Sequence, residues 1–475
     1  MVNFAQTDEQ AVYDSTVPYM DNNYHTHSII AEWFVFILWA GLCFESMFTR
    51  YIWPIVVERQ AFWTRLTPLH LFPSDLLFYG PIFLISIFVV LRGRRYGYKT
   101  SRGIWLVIIL LVLGAIQAIH GLMAGSTGKF WLSDYKQMVL GSIFVPFFCV
   151  LAPRIRVWKL AERFCRIGVV LAIYNGVRGA LILVGGMERY AIFAPHFSGE
   201  YILLLMYAFV LIRSIVTGKA SKLILAALAF GIILPLSKPA LSAFVSIHPI
   251  AFITIWMFGK RIGFLVRLRS VKMMVITGLL ITVIMAWLLT LGQGEAKRHL
   301  AKRFLKTGEY YQQRDLSGGR FGAYRWAILK WTEYPVFGTG FGIYMPVRTW
   351  HKNEDEAIPV HNLPLQILYE TGLIGFIICF TTFFIWLRRI YIFFKTYPDI
   401  SEQWPLLGMF TWAMTMIISA LIGQTLGIVQ IGFMFWICVA FLSNAEAQHY
   451  MTSLYEGYGG EEEINTNSYE SGVVC

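Results

Sequence analysis

The feature that most constrains this chain is the recurrence of long apolar runs separated by short basic connections. Each run approaches the ~20 residues that a helix needs to cross a bilayer. Twelve stand out, near 30–49, 75–92, 103–121, 137–152, 167–185, 200–217, 221–236, 240–258, 271–291, 364–387, 405–423 and 426–443. With 57% hydrophobic and only 14% charged residues over 475 positions, a water-soluble domain is excluded on composition. The pattern predicts an all-α polytopic membrane protein of about twelve transmembrane helices with one long loop, 292–361.

Charge orients the bundle. The connections RGRRYGYKTSR, APRIRVWKLAERFCR, RSIVTGKASK, GKRIGFLVRLRSVK and RRIYIFFK fall on one side and hold most of the loop Lys and Arg. The positive-inside rule then predicts cytoplasmic termini and a periplasmic long loop. The net charge of +12 reflects this bias and contact with anionic headgroups, not nucleic-acid binding. Residues 1–29 are polar and lack the basic start, apolar core and small-residue site of a cleaved signal peptide. The tail 444–475 is acidic and polar, and no repeat of fixed period is present. The six cysteines form no metal-ligand spacing and read as small buried side chains.

The long loop is where chemistry is expected. KRHLAKRFLK is an amphipathic basic stretch suited to lipid headgroups. Beyond it, Phe321, Tyr324, Ile328 and Trp331 recur at helical spacing and predict a helix over 321–333, with Ser317 as a cap and Arg320 at its start. PVFGTGFG then ends the helix in a sharp turn at Gly338, Gly340 and Gly342. It is no phosphate loop, because it lacks the preceding strand and the Lys-Ser/Thr pair. Glu354, Asp355 and Glu356 read as a solvated charge cluster, and no metal site is expected. Arg320, Lys238 in LPLSKPAL and Arg189 in GGMERYAIFAPH all fall on the outer side. Together such cations can grip a diphosphate; singly, each can pair with a lipid headgroup. His361 precedes Asn362 and Pro364 at the entrance to the run 364–387. It is placed either to accept a proton from a hydroxyl or to serve as a cap or surface residue.

The strings SGGRFGAYRWAIL, YPVFGTGFG and VHNLPLQILYETGLIG resemble the O-antigen ligase and O-antigen polymerase superfamily of bacterial envelope glycosyltransferases. LSKPAL and RYAIFAPH are similar to two earlier family segments. Four positions depart from the pattern: the second glycine of SGGR, Tyr324 where tryptophan is common, Lys238 in place of arginine, and His196 in place of asparagine.

The resemblance implies a GT-C-like, inner-membrane enzyme that needs no metal or cofactor. It would move a glycan from an undecaprenyl-diphosphate carrier to an acceptor hydroxyl at the periplasmic face, inverting the anomeric centre. Arg320, Lys238 and Arg189 would hold the diphosphate, His361 would orient or deprotonate the acceptor, and Asn362 and Glu370 would support that geometry. Polymerisation of polysaccharide repeats is the expectation, with no extra acceptor-binding domain apparent after the late run. Transfer of a finished chain to lipid A–core is the alternative, and chain-length regulators or flippases are the implied partners. The expected division is a cytoplasmic segment 1–29, nine spans over 30–291, the catalytic loop 292–361, three spans over 362–443 and the cytoplasmic tail 444–475. A lipid-linked glycan flippase is the different-class alternative; it would use deep charges, for which Glu45 and Arg178 are candidates. His120 and His248 read as packing residues.

Overall fold

The structure is a computed structural model that describes residues 29–41, 80–92, 103–126, 140–151, 155–185, 198–219, 222–235, 238–258, 264–291, 320–343, 345–348, 355–358, 360, 362–397, 403–421 and 429–445. Among these, helices occur at every apolar run: α1 (Ile29–Gly41), α2 (Gly80–Arg92), α3 (Gly103–Met123), α4 (Phe144–Leu151, entered through a 3-10 turn at Leu140–Ile143), α5 (Val157–Gly185), α6 (Ser198–Thr217), α7 (Lys222–Ile233), α8 (Lys238–Phe258), α9 (Phe264–Leu291), α11 (Leu363–Thr396), α12 (Trp404–Ala420) and α13 (Val429–Ser443). The helix expected over 321–333 is α10 (Arg320–Glu333). Among the described residues three stretches are long and apolar enough to cross a membrane: Gly199–Thr217, Ala240–Phe258 and Leu363–Thr396.

The regular elements among the described residues are helical apart from one short ribbon: β1 (Met345–Arg348) pairs antiparallel with β2 (Asp355–Ile358), and Arg348 stands opposite Asp355. The acidic cluster is therefore partly strand. Among the described positions of α10, Ala323 and Ala327 are buried and Tyr324 and Trp331 pack against the same cluster, whereas Ile328, expected on that stripe, is exposed.

α6 is the centre of the bundle. It is apolar around its whole circumference, as a helix surrounded by others must be, and Tyr201 to Ile212 are all buried. α12 crosses it closely, with Gly408 against Phe209. Trp412 Nε1 donates to Tyr201 O at 2.8 Å. α5 and α7 meet through Gly176, Gly179 and Gly231, small residues that let two backbones approach. Asn175 Nδ2 donates to Gly231 O at 2.7 Å across that seam. His248 is a packing residue. Its Nδ1 lies 2.9 Å from Phe244 O, which can only accept, so Nε2 accepts from Tyr207 OH at 2.8 Å.

The helix directions define two ends of the bundle. α12 starts at Trp404, whose ring lies 5.2 Å under the Arg213 guanidinium. Arg213 in turn pairs with Glu162 near the start of α5 at 2.9 Å. α12 finishes at the opposite end, where Leu421 O accepts from Asn362 Nδ2 at 3.0 Å. α5 and α7 run the same way along their shared seam, so the turn Leu234–Pro235 and the start of α8 at Lys238 lie at this second end.

Candidate active site

The site is built on α10 and the head of α11, which pack side by side. Ala327, Val360 and Tyr369 form a small buried cluster, with Tyr324, Trp326, Trp331 and Leu365 around it. The Trp326 and Tyr369 rings meet edge to face, 5.5 Å between centroids. The C-terminal end of α10 leads into the turn at Pro335, which meets α11 at Leu373. Since Ala327 lies level with Val360 and Tyr369, the two helices run parallel. Arg320 is the first residue of α10, seven residues before Ala327, or roughly 10 Å along the axis. The ribbon β1–β2 folds the intervening chain back on itself, returning Val360 to the cluster.

His361, Ser317, Arg189, His196 and Glu45 lie outside the described residues. Both chain neighbours of His361 are anchored. Val360 is fully buried against Ala327 and Tyr369. Asn362 caps α11: its Oδ1 accepts from Leu365 N at 3.0 Å, while its Nδ2 reaches α12. Asn362 thus positions the helix head, the role its residue type favours.

Gly338 and Gly340, with Gly372, form a backbone knot. At Gly372 (φ 65°, ψ −171°) α11 is interrupted, which frees carbonyls that a continuous helix would use. The turn takes them up: Thr339 N donates to Tyr369 O at 2.8 Å and Gly340 N to Glu370 O at 2.9 Å. In return, Leu373 N donates to Pro335 O at 2.9 Å. The other side of the turn rests on α3. Phe341 N donates to Gln117 O at 3.1 Å, and Gln117 Nε2 donates to Phe337 O at 3.0 Å. Gly340 (φ 85°) lies so close to Gly121 that any Cβ would strike its backbone. The glycines therefore serve close backbone pairing between three segments.

Glu370 is fully buried at the knot. Its Oε1 accepts from Gln366 Nε2 and Tyr369 OH, both at 3.1 Å. Asn362, Gln366 and Glu370 recur every four residues and form a polar stripe from the head of α11 to its kink. Gly342, also at positive φ (79°), closes the turn. Arg178 is buried one residue from the Gly179–Leu234 contact, with Nη1 donating to Asn175 Oδ1 at 3.1 Å. It thus sits towards the same end of the bundle as Lys238 and Asn362. Among the described residues no group of three His, Cys, Asp or Glu is placed to hold a metal ion.

Residues 164–380 match the family model described as O-antigen ligase. The match, over somewhat less than half of the chain, supports the O-antigen ligase and polymerase superfamily for this region. The match implies glycosyl transfer on a lipid-linked glycan by a bacterial inner-membrane enzyme. No curated protein matches the chain. The matched span contains α10, the glycine turn and the head of α11, but not α3, so Gln117 and Gly121 contribute to the knot from outside it. Sequence reading missed Gln117, Gln366, Tyr369 and Gly372. A glutamine followed by glycine four positions on, in the mostly apolar run GAIQAIHGLM, was the available signal for α3.

Proposed function

We propose that the protein transfers a glycan from an undecaprenyl-diphosphate carrier to an acceptor hydroxyl at the periplasmic face, inverting the anomeric carbon and using no metal ion. The acceptor in this reading is a second lipid-linked repeat, so the protein is a polysaccharide polymerase; transfer to lipid A–core is the alternative. Arg320 heads α10, where unpaired backbone N–H groups and the helix dipole favour anions. Together with Lys238, which heads α8, and Arg189, it would hold the diphosphate and stabilise the charge that develops as the carrier leaves. His361 would take the acceptor proton. Asn362 and Glu370 would set its direction, and Ser317 would cap the start of α10. The loop 292–361 is the catalytic loop in this reading, and the termini are cytoplasmic.

The observation that carries this reading is the anchoring of both neighbours of His361, with Val360 packed on the helix that Arg320 begins. The test is reconstitution of the purified protein with a lipid-diphosphate-linked oligosaccharide. Carrier release with growth of a glycan ladder is expected, together with loss of extension in His361→Ala and Arg320→Lys. Normal extension by His361→Ala removes the proposed base. Movement of unaltered substrate across the bilayer without bond exchange identifies a flippase. Transfer only to lipid A–core identifies a ligase.

A further inference from the structure

The end of the bundle opposite to Asn362 holds a second concentration of chemistry that the proposed transfer does not use. Glu32, in the first turn of α1, is completely buried. Its carboxylate accepts from Arg156 N at 3.1 Å and from the Arg156 guanidinium, with Nη2 at 3.3 Å. Arg163 Nη1 stands 3.5 Å from Oε2, the oxygen that also accepts from Arg156 Nη2, an ion-pair distance too long for a good hydrogen bond. That nitrogen is buried and has no hydrogen-bond partner among the described residues. The Arg163 guanidinium lies over the Trp33 ring at 4.8 Å.

Lys159, Arg163 and Arg166 are spaced by four and three residues and share one face of α5. Arg166 is exposed. Lys159 has no carboxylate in ion-pair range among the described residues and sits 5.1 Å from the Trp158 ring. Arg156 and Arg163 thus share the one buried carboxylate, Glu32, with Lys159 within its electrostatic reach and Arg166 one turn further along α5, while Glu162 pairs with Arg213. Partial burial, then the nearby Arg156 charge, lower the Lys159 pKa, with Glu32 and Glu162 acting in the opposite direction. Beside this stripe, α1 exposes an apolar track of Ile30, Phe34 and Ile37, one turn apart, with Trp33 at its head. A surplus of cations at the top of an exposed apolar track matches an amphiphile with an anionic head.

We propose that Lys159, Arg163 and Arg166 of α5, with Trp33 of α1, form a binding site for the phosphate headgroup of an anionic phospholipid whose acyl chain follows α1. The headgroup supplies the missing negative charge, while the indole and the apolar track hold the glycerol and chain region. Basic pockets between helices at a membrane surface bind anionic headgroups by this combination. The site is independent of glycosyl transfer and stands whichever reaction the opposite end performs.

The test uses the full-length protein purified in detergent, with equal amounts of phosphatidylglycerol and phosphatidylcholine added, and native mass spectrometry to count retained lipid. Selective retention of phosphatidylglycerol is expected. Lys159→Gln combined with Arg163→Gln should weaken it roughly thirty-fold, at about 1 kcal/mol for each near-surface cation. The Glu32–Arg156 pair remains intact in that variant. Arg388→Gln, an exposed cation on α11, should retain the lipid as the parent does. If the double variant does not fold, Arg166→Gln, whose side chain is exposed, should still give a several-fold loss. Equal retention of both lipids overturns the proposal. So does equal weakening by Arg388→Gln, undiminished retention in the α5 variants, or full competition by inorganic phosphate at the same concentration.

Discussion

Gly340→Ala is expected to damage the protein far more than the addition of one methyl group suggests. Gly340 has φ 85°, a backbone conformation that costs a residue with a Cβ about 1–2 kcal/mol. The new Cβ would also lie 2.5 Å from Gly121 Cα and 2.8 Å from His120 C. These are main-chain atoms of α3 and cannot rotate away, so the turn must withdraw, at a further ~1–3 kcal/mol by analogy with overpacked cores. A loss of about 2–5 kcal/mol is a large part of the stability of an ordinary domain. Withdrawal also strains the bonds from Thr339 and Gly340 to Tyr369 and Glu370, which hold the head of α11. A displacement of ~1 Å at a catalytic group can cost 10²-fold in rate. Gly278 is the internal comparator: it lies in α9 with nothing within 4 Å of a built Cβ, so Gly278→Ala should be neutral or slightly stabilising. Thermal unfolding in detergent and glycan extension from a lipid-linked donor measure both effects. If Gly340→Ala melts with the parent and extends chains at the same rate, the close contact between the turn and α3 is wrong.

Gln117→Leu removes the part-buried side-chain bond to Phe337 O, at about 1 kcal/mol; amides of residues 337–341 should exchange hydrogen faster by mass spectrometry. Glu32→Ala leaves Arg156 beside no carboxylate in a buried setting and should destabilise by about 3 kcal/mol, read as a lower melting temperature, while Glu333→Ala at an exposed pair should change little. Chelator treatment of the reconstituted enzyme should leave the rate of glycan transfer unchanged, which a metal-dependent transferase would not tolerate.

Much of the fold was legible because apolar runs are long and unambiguous. The helix starting at Arg320, the turn after it and the start of α11 were readable from spacing, caps and glycines. Helix ends were not. APRIRVWKLAERFCR reads as a connection, yet α5 begins at Val157 and carries Lys159, Arg163 and Arg166 as helical residues. RRIYIFFK likewise continues α11 to Thr396. Basic residues mark where a helix leaves hydrocarbon, and long side chains let it continue well past that level. On α10 the expected stripe placed Tyr324 and Trp331 correctly but not Ile328, because periodicity of large residues does not find the alanines, Ala323 and Ala327, that close helix contact selects. The kink at Gly372 and its bonds to the turn could not be read at all. They depend on which distant backbone fills the gap, and hydropathy carries no information about that.

The bracing of the glycine turn by α3 has a consequence for engineering. Gln117 and Gly121 lie more than forty residues before the family-matched region begins, so transplanting that region into another scaffold would remove the surface on which the turn rests. A hybrid enzyme would need both pieces from one parent, or a matching Gln–Gly pair grafted onto the host helix that takes the place of α3.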